Sequence, residues 1–405
     1  MTTSPARPNR ILSGMRPTGK LHLGHYHGVL KNWVKLQQEH DCYFFVADWH
    51  ALTTHYENRS VLADNVWDLV VDWLACGVDP ARAKIFVQSR IPEHAELHLL
   101  LSMVTPLGWL ERVPTFKDQQ EQLKDRDLAT YGFLGYPLLQ AADILIYKAA
   151  GVPVGEDQLS HIEITREIAR RFNHMFGREP DFEQKAEAAA AKMGKKNAKL
   201  YFDLRKRYQE QGDAQALVAA RTLVTDQQNL AVADRERLLG YLDGTGRVIL
   251  PEPQALLTPA SKMPGLDGRK MSKSYSNTIS LRDDPAEVEK KMRTMPTDPA
   301  RVRRTDPGEP TKCPVWEFHK VYSDQQTQDW VLQGCRSAGI GCLECKQPVI
   351  DAVIAEQAPM RERAQRYLDD PTLVKNIIAD GCDKARELAR ETMREVREAM
   401  GLDYS

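Results

Sequence analysis

Short apolar runs alternate with amphipathic segments along the first half of the chain. The runs Arg10 to Ser13, Cys42 to Asp48 and Ile85 to Gln88 are apolar, and the last two are rich in aromatic and β-branched residues, as is typical of buried parallel strands. Between them, Tyr26 to Glu39 and Ser60 to Cys76 place apolar residues on one helical face. This alternation predicts an α/β protein with a doubly wound parallel sheet.

The remainder of the chain has a helical pattern. Residues 178–255 are rich in alanine, lysine, arginine and glutamine, and helices dominate from Asp284 onward, where Asp383 to Met400 is clearly amphipathic. We therefore predict a catalytic α/β domain, a helical insertion, the second part of the α/β domain and a helical C-terminal domain. Their ranges are 1–177, 178–255, 256–284 and 285–405.

The composition is that of a globular protein that can bury a large core. The chain has 405 residues, of which 42% are hydrophobic and 27% charged, and no apolar run approaches the length of a membrane span. We expect a cytoplasmic protein without a signal peptide. Because the net charge is only −1, contact with RNA must come from local basic patches such as Lys185 to Tyr208 and Lys290 to Arg304.

The loop between the first strand and the first helix has the features of a phosphate site. Its sequence from Ser13 to His25 is S-G-M-R-P-T-G-K-L-H-L-G-H, in which glycines allow close backbone approach and the helix start offers NH groups to an anion. Residues 14–20 fit a Walker A loop, but Leu21 replaces the hydroxyl residue that binds magnesium. In the other interpretation, His22 and His25 donate hydrogen bonds to phosphate oxygens.

A second loop points to the same chemistry. The run Lys270-Met271-Ser272-Lys273-Ser274 lies in a stretch without helical period, and its two lysines can neutralise charge on departing pyrophosphate. This loop is identical to the "KMSKS" signature of class I aminoacyl-tRNA synthetases, and His22 to His25 resembles their "HIGH" signature. Together the two signatures favour ATP-dependent activation of an amino acid.

Three further segments make the resemblance more specific. Tyr136 to Tyr147, Gly155 to Gln158 and Val46 to His50 resemble motifs of bacterial tryptophanyl-tRNA synthetases, and the likeness covers most of residues 10–176 and 256–405. It implies a Rossmann-like catalytic domain and a helical anticodon-binding domain, working as a homodimer. It also implies ligation of L-tryptophan to tRNA(Trp) through tryptophanyl-adenylate, at the expense of ATP with Mg2+ on its phosphates.

The resemblance implies a role for each candidate site residue. Catalytic stabilisation of charge falls to His22, His25, Lys270 and Lys273. ATP binding falls to residues of the two signatures and of one polar turn: Arg16, Pro17, Thr18, Gly24, His25, Gly155, Glu156, Asp157, Lys270, Met271, Ser272, Lys273 and Ser274. Tryptophan binding falls to Asp143 on the indole NH, together with Tyr136, Gln158, His50 and Gln140.

Asp143 also stands out without any resemblance. It is a single carboxylate within the apolar helical run Tyr136 to Tyr147. A carboxylate buried without a partner is strongly destabilising, so we expect a fixed hydrogen-bond donor beside it.

Four of the seven cysteines form a spaced group, whereas Cys42, Cys76 and Cys382 are expected to be reduced core residues. The group has the spacing C-x21-C-x6-C-x2-C and consists of Cys313, Cys335, Cys342 and Cys345. Four thiolates suit tetrahedral zinc or a 4Fe-4S cluster, and spacing alone favours zinc. The pattern resembles that of tryptophanyl-tRNA synthetases with a 4Fe-4S cluster, which implies an iron–sulfur site with zinc as the alternative.

Two alternative functions remain. Gln140-x-x-Asp143 also resembles the pocket of tyrosine–tRNA ligases, because a phenol hydroxyl and an indole NH can both bond to an aspartate. Asp48-Trp49-His50 at a strand end, the turn Gly155 to Gln158 and the cysteine spacing favour tryptophan. The more remote alternative is a P-loop NTPase or kinase, against which Leu21 and the Lys270 loop argue.

Overall fold

The computed structural model describes residues 9–55, 60–113, 130–177, 181–244, 246–258 and 263–404, and a five-stranded sheet lies at its centre. The strands are β1 (Arg10–Met15), β2 (Asp41–Val46), β3 (Ala83–Val87), β4 (Gly151–Val154) and β5 (Gln254–Leu257). Their order is β3-β2-β1-β4-β5 and every adjacent pair is parallel. This is the order of a doubly wound sheet. The predicted Rossmann-like fold is confirmed.

The central strands are covered on both faces. Every residue of β2 from Cys42 to Val46 is buried, and the ring of Phe44 stacks on Trp33 with centroids 4.2 Å apart. Burial on both faces explains why this strand is a continuous apolar run rather than an alternating one. The edge strand β5 has no such run because all its side chains are partly or fully exposed. Sequence analysis therefore missed it, and the predicted boundary between residues 255 and 256 falls inside it.

Helices connect the strands of the first half. They are Leu23–His25, Lys31–Leu36, Asp48–His55, Ser60–Ala75, Glu93–Ser102, Leu107–Glu111, Tyr131–Leu134, Tyr136–Ile146 and Leu159–Phe176. A π-helical segment, Tyr26–Leu30, joins the first two, so the predicted helix from Tyr26 to Glu39 begins and ends earlier than expected. Short 3-10 turns follow β3 and β4 at their carboxyl ends, at Gln88–Arg90 and Glu156–Gln158.

Four helices of the predicted insertion pack around an apolar core of their own. They are Phe182–Lys192, Lys195–Gln211, Ala214–Thr225 and Val232–Leu242, and Tyr201 and Leu238 are fully buried between them. The Tyr201 hydroxyl donates to the Leu238 carbonyl at 2.6 Å.

A node of four charges fixes the helical insertion to the rest of the molecule. Lys148, just before β4, binds Glu236 of the insertion at 3.4 Å and Glu395 of the C-terminal helix at 2.9 Å. Arg247 binds the same two glutamates at 2.7 and 3.1 Å. Because Lys148 precedes β4, this node lies at the amino ends of the strands. The insertion is therefore attached on the side of the sheet opposite the carboxyl ends.

The last third of the chain is helical, as predicted. Its helices are Pro285–Arg293, Pro314–Tyr322, Gln325–Arg336, Cys342–Asp369 and Pro371–Met400, with 3-10 turns at Lys273–Tyr275 and Pro310–Lys312. The helix Cys342–Asp369 packs on Ser60–Ala75, and the C-terminal helix packs on β3. Among the described residues, no helix is long and apolar enough to cross a membrane.

Gly381 brings the C-terminal helix into contact with the sheet. A Cβ at this position would lie 1.9 Å from the carbonyl oxygen of Ile85 in β3. The atom it would meet is backbone and cannot rotate away, so even alanine would force the helix off the sheet.

We expect Gly381→Ala to lower the free energy of unfolding by roughly 1–3 kcal/mol or more, as overpacking does. Gly108→Ala is the matched control, because Gly108 is also helical and a Cβ there would meet nothing within 4 Å. Urea unfolding of both variants measures the difference. Equal stabilities would show that the helix does not depend on this close approach.

Candidate active site

The two signature loops are joined by backbone hydrogen bonds. Leu23 N donates to the Ile279 carbonyl at 3.1 Å, Leu281 N donates to the Leu21 carbonyl at 3.0 Å, and His22 pairs with Ser280 in an antiparallel bridge. Residues that are more than 250 positions apart in sequence thus form one structural unit. We call this unit the signature junction (Leu21–Leu23 and Ile279–Leu281). It places both loops beside the carboxyl end of β1.

The backbone fixes the tautomers of the two signature histidines. Gly24 N donates to His22 Nδ1 at 3.1 Å, and His22 N donates to His25 Nδ1 at 3.2 Å. Because each Nδ1 accepts, each ring carries its proton on Nε2 when neutral. Burial and Lys273 lower the pKa of His22 to about 4, while burial, His22 and Lys273 lower that of His25 to about 3. Both rings are therefore neutral Nε2–H donors at pH 7.

Gly24 is required by the packing of this turn. A Cβ on Gly24 would lie 2.9 Å from the His22 ring and 3.5 Å from Met271 Cβ. Met271 itself is buried, so it anchors the second loop beneath the first. Two predicted ATP-binding residues, Gly24 and Met271, thus meet beside the predicted catalytic residue His22.

Lys273 reaches the first loop, whereas Lys270 does not. Lys273 Nζ donates to the carbonyls of Thr18 at 3.2 Å and Gly19 at 2.8 Å. Burial lowers the pKa of Lys273, and Asp72 opposes that effect. The Lys270 side chain is exposed, and its carbonyl accepts from Asn277 at 3.3 Å. Of the two predicted lysines, the structure brings one into the site.

The backbone of the first loop is folded toward this lysine. Thr18 N donates to the Arg16 carbonyl at 2.9 Å, Pro17 is buried, and Gly19 has a φ of 104° that favours glycine. Arg16 remains exposed. In the second loop, the Asn277 side chain accepts from Ser272 N at 2.8 Å, and the backbone of Ser274 lies in the turn Lys273–Tyr275.

Sequence reasoning missed a buried carboxylate behind the signature junction. Asp72 is only 1% exposed; it accepts from Leu21 N at 3.1 Å and from Arg282 Nε at 2.6 Å. Burial raises the pKa of Asp72, and Arg282 opposes the effect. The signal was available, since Asp72 interrupts an apolar helical face, but its partner is 210 positions away.

Asp143 has the fixed donors that its position in an apolar helix predicted. It is 1% exposed and accepts from His50 at 2.7 Å, from His94 at 2.6 Å and from Gln88 at 2.8 Å. Burial alone would raise the pKa of Asp143, but the hydrogen bonds from the two histidines lower it to about 2. His94 also contacts the Tyr147 hydroxyl at 2.6 Å. Asp143 is therefore an ionised carboxylate at pH 7.

Gln88 and His94 were not predicted as site residues. Gln88 directly follows β3, so the rule that functional groups gather at strand carboxyl ends could have found it. His94 lies inside a helix without a distinctive motif, and only the packing of that helix against Tyr136–Ile146 reveals its role.

A second network of hydrogen-bonded side chains lies beside the Asp143 cluster. Gln140 Oε1 accepts from His161 Nδ1 at 2.8 Å, and the Tyr136 hydroxyl is 2.8 Å from His161 Nε2. Burial lowers the pKa of His161 to about 4, so the neutral ring donates to Gln140 and accepts from Tyr136. Tyr136 and His50 are edge to face with centroids 6.3 Å apart. His161 thus links two predicted residues, although it was not itself predicted as a site residue.

The predicted ATP-binding residues of the polar turn, Gly155, Glu156 and Asp157, lie after β4. Glu156 and Asp157 are exposed, and Gln158 donates to Asp157 at 3.2 Å. A Cβ on Gly155 would lie 2.6 Å from Asp157 Oδ1, so the Asp157 side chain folds back over the start of this turn. Because β4 neighbours β1, the turn lies at the same edge of the sheet as the first signature.

The four grouped cysteines are neighbours, but two of their thiols have other partners in this structure. Cys345 interacts electrostatically with Cys313, Cys335 and Cys342, and after burial these three contacts help to raise its pKa to about 12. However, Cys345 Sγ lies 3.4 Å from His319 Nε2, and Cys335 Sγ lies 3.9 Å from Arg301. These thiols face nitrogen partners rather than one common centre. Within the described ranges, no three His, Cys, Asp or Glu side chains form a group that could hold a metal ion.

The chain matches known proteins along nearly its whole length. Residues 4–201 and 214–356 match the family model of class I tRNA synthetases for tryptophan and tyrosine. The tryptophan–tRNA ligase of Ralstonia nicotianae is 70% identical, covering 98% of this chain and 100% of the relative. The tryptophan–tRNA ligase of Thermotoga maritima is 46% identical over 98% of this chain and 100% of the relative.

A solved structure agrees with these relatives. The tryptophanyl-tRNA synthetase of Campylobacter jejuni, crystallised with ADP and tryptophan, has a TM-score of 0.73 and 28% identity, covering 97% of this chain and 100% of its own. The signature junction, the parallel sheet and these matches lead to one conclusion: the chain belongs to the class I tRNA synthetases for tryptophan and tyrosine.

Proposed function

We propose that this protein is a tryptophan–tRNA ligase, which activates L-tryptophan with ATP and transfers it to tRNA(Trp). The observation that carries the proposal is the signature junction, because it brings two neutral histidine donors and one lysine together at the end of β1. The relatives at 70% and 46% identity, both tryptophan–tRNA ligases, support the choice of amino acid. We place the enzyme in the cytoplasm.

In the first step, the tryptophan carboxylate attacks the α-phosphorus of ATP and pyrophosphate leaves. Negative charge grows on the departing pyrophosphate, and fixed donors there stabilise the transition state more than the ground state. The Nε2–H groups of His22 and His25 donate to phosphate oxygens. Lys273 releases the carbonyls of Thr18 and Gly19 and binds the triphosphate instead. Lys270, which is exposed to solvent, moves onto the triphosphate when the loop closes. Mg2+ is held by the phosphates of ATP.

The other predicted ATP contacts surround this triphosphate. Arg16, Pro17 and Thr18 border it on the side of β1, Gly24 leaves room for adenine, and Met271, Ser272 and Ser274 shape the closing loop. Gly155, Glu156 and Asp157 follow the neighbouring strand and contact the ribose.

In the second step, a hydroxyl of the terminal tRNA adenosine attacks the activated carbonyl. The enzyme works as a homodimer. The helical C-terminal domain binds the anticodon.

On the amino-acid side, Asp143 accepts the indole NH. An ionised carboxylate offers about four acceptor positions, and His50, His94 and Gln88 occupy three of them, so one remains for the substrate. His50 orients the carboxylate. The neighbouring residues Tyr136, Gln140 and Gln158 hold the α-amino group, with His161 fixing the first two.

The two alternatives fit less well. Tyrosine could also donate to Asp143, but the two relatives reported above are both tryptophan–tRNA ligases. A P-loop NTPase needs the lysine of its loop on the phosphates, whereas Lys20 is exposed and Leu21 N is bound to Asp72.

We further propose that Cys313, Cys335, Cys342 and Cys345 hold a 4Fe-4S cluster. Four thiols in one neighbourhood suit such a cluster, and two buried cations, Lys346 and Arg301, lie close to them and can offset its negative charge. The cluster would tie together the helices that begin at Pro314 and Cys342. Zinc at the same four thiolates is the alternative.

Amino-acid-dependent exchange of pyrophosphate into ATP tests the function and the role of Asp143. We expect exchange with tryptophan and none with tyrosine or phenylalanine. Asp143→Asn should lower kcat/KM for tryptophan, with a loss of roughly 1–3 kcal/mol in transition-state stabilisation, because the amide leaves buried donors unpaired. Circular dichroism must show that this variant is folded. Exchange with tyrosine would contradict the proposed substrate, and unchanged tryptophan kinetics would contradict the role of Asp143.

Lys273→Ala should slow adenylate formation about 100-fold while leaving tryptophan binding nearly unchanged, since its charge acts on the triphosphate as it breaks. Lys20→Ala is the matched control, being an exposed lysine in the adjacent loop. Single-turnover adenylate formation and equilibrium tryptophan binding separate the two effects. If Lys20→Ala were the slower variant, the result would contradict the role of Lys273 and favour the P-loop interpretation.

Protein purified without oxygen should be brown and contain iron and sulfide in equal amounts, bound through the four cysteines. Cys342→Ser should lose most of the iron. Metal analysis and visible absorbance measure both. Colourless anaerobic protein with stoichiometric zinc, or with no metal, would contradict the iron–sulfur proposal.

A further inference from the structure

The signature junction is held from behind by one helix of the C-terminal region. Gln357, fully buried in the middle of Cys342–Asp369, donates from Nε2 to the carbonyl of Ser280 at 2.8 Å. Arg361 lies 3.3 Å from Gln357 Oε1, which fixes the orientation of that amide. Because Ser280 is the bridge partner of His22, Gln357 supports the point where the two signature loops meet.

The preceding residue supports the first loop by a second route. Glu356 Oε2 accepts from His27 at 2.9 Å and from the Tyr322 hydroxyl at 2.7 Å, and His27 and Tyr322 are 3.2 Å apart. His27 lies two residues after His25, in the π-helical segment Tyr26–Leu30. A shift of Glu356 would therefore move the turn that carries both signature histidines.

We propose that Glu356 and Gln357 are positioning residues for adenylate formation, which set the distance between the His22–His25 turn and the Lys273 loop through His27 and Ser280. Neither residue touches ATP in this mechanism. This inference rests on the proposed function, because it assumes that the two loops act on one triphosphate. It adds that the helix Cys342–Asp369 of the C-terminal region helps to build the ATP site.

The physical basis is the precision that transition-state stabilisation requires. Donors must be in place for the charge that develops on pyrophosphate, and a misplacement of 1 Å can cost about 100-fold in rate. In the described part of the chain, only two backbone hydrogen bonds join the loops, and they flank the single bridge pair of His22 and Ser280. The buried side chains of Asp72 on one helix and Gln357 on another keep this small bridge from sliding.

The test compares kinetics for the two substrates in pyrophosphate exchange. Gln357→Met keeps the volume and removes the donor, and we expect kcat/KM for ATP to fall about tenfold while KM for tryptophan stays within about twofold. Glu356→Met should behave likewise. Glu356→Gln should restore most of the activity, because an amide oxygen still accepts from His27 and Tyr322. Gln365→Met is the control, because Gln365 is an exposed glutamine on the same helix and donates to Asp369.

The outcomes are distinct. ATP kinetics of Gln357→Met that match those of the Gln365→Met control would overturn the inference. So would equal losses for ATP and tryptophan with a lower melting temperature, since those would indicate a purely structural role. If the folded wild-type protein itself gave no tryptophan-dependent exchange, the proposed function would fail instead of this inference.

Discussion

The short backbone bridge between Leu21–Leu23 and Ile279–Leu281 is the constraint on which the proposed ATP site depends. The two loops that it joins come from distant parts of the chain, and each alone offers only a few donors to solvent. Once joined, they place Lys273 on the carbonyls of Thr18 and Gly19, beside two rings whose protons point away from the backbone. Burial keeps those rings neutral, so they act as donors without repelling the lysine.

The amino-acid side depends on a different feature, a buried carboxylate that three side-chain donors of the protein stabilise. Asp143 is ionised although it is fully enclosed, because His50, His94 and Gln88 together stabilise its charge. Removing one member would leave a buried polar group unpaired, which is more destabilising than the loss of a single hydrogen bond. The cluster is thus both part of the core and a site that can discriminate by a polar contact.

The helical C-terminal region connects these parts with the grouped cysteines. The helix Pro314–Tyr322 follows Cys313 and ends at Tyr322, while Cys342–Asp369 carries Cys345 near its start and Glu356 near its middle. His319 of the first helix contacts Cys345 of the second. The two helices that would bind the cluster are therefore the same two that meet His27, and their relative position bears on the signature turn. The helical insertion is fixed elsewhere, at the amino ends of the strands.

The sequence by itself determined the class of fold, the two signature loops and the need for a donor beside Asp143. These features are local: apolar periodicity, a specified pentapeptide and a carboxylate in an apolar run each show within a few residues. Only the tertiary structure decided which lysine reaches the site, which groups pair with Asp143, and that Asp72, Arg282, Glu356 and Gln357 support the signature junction. Those partners lie tens to hundreds of positions apart, and they meet only because helices pack across the sheet, which no local pattern records.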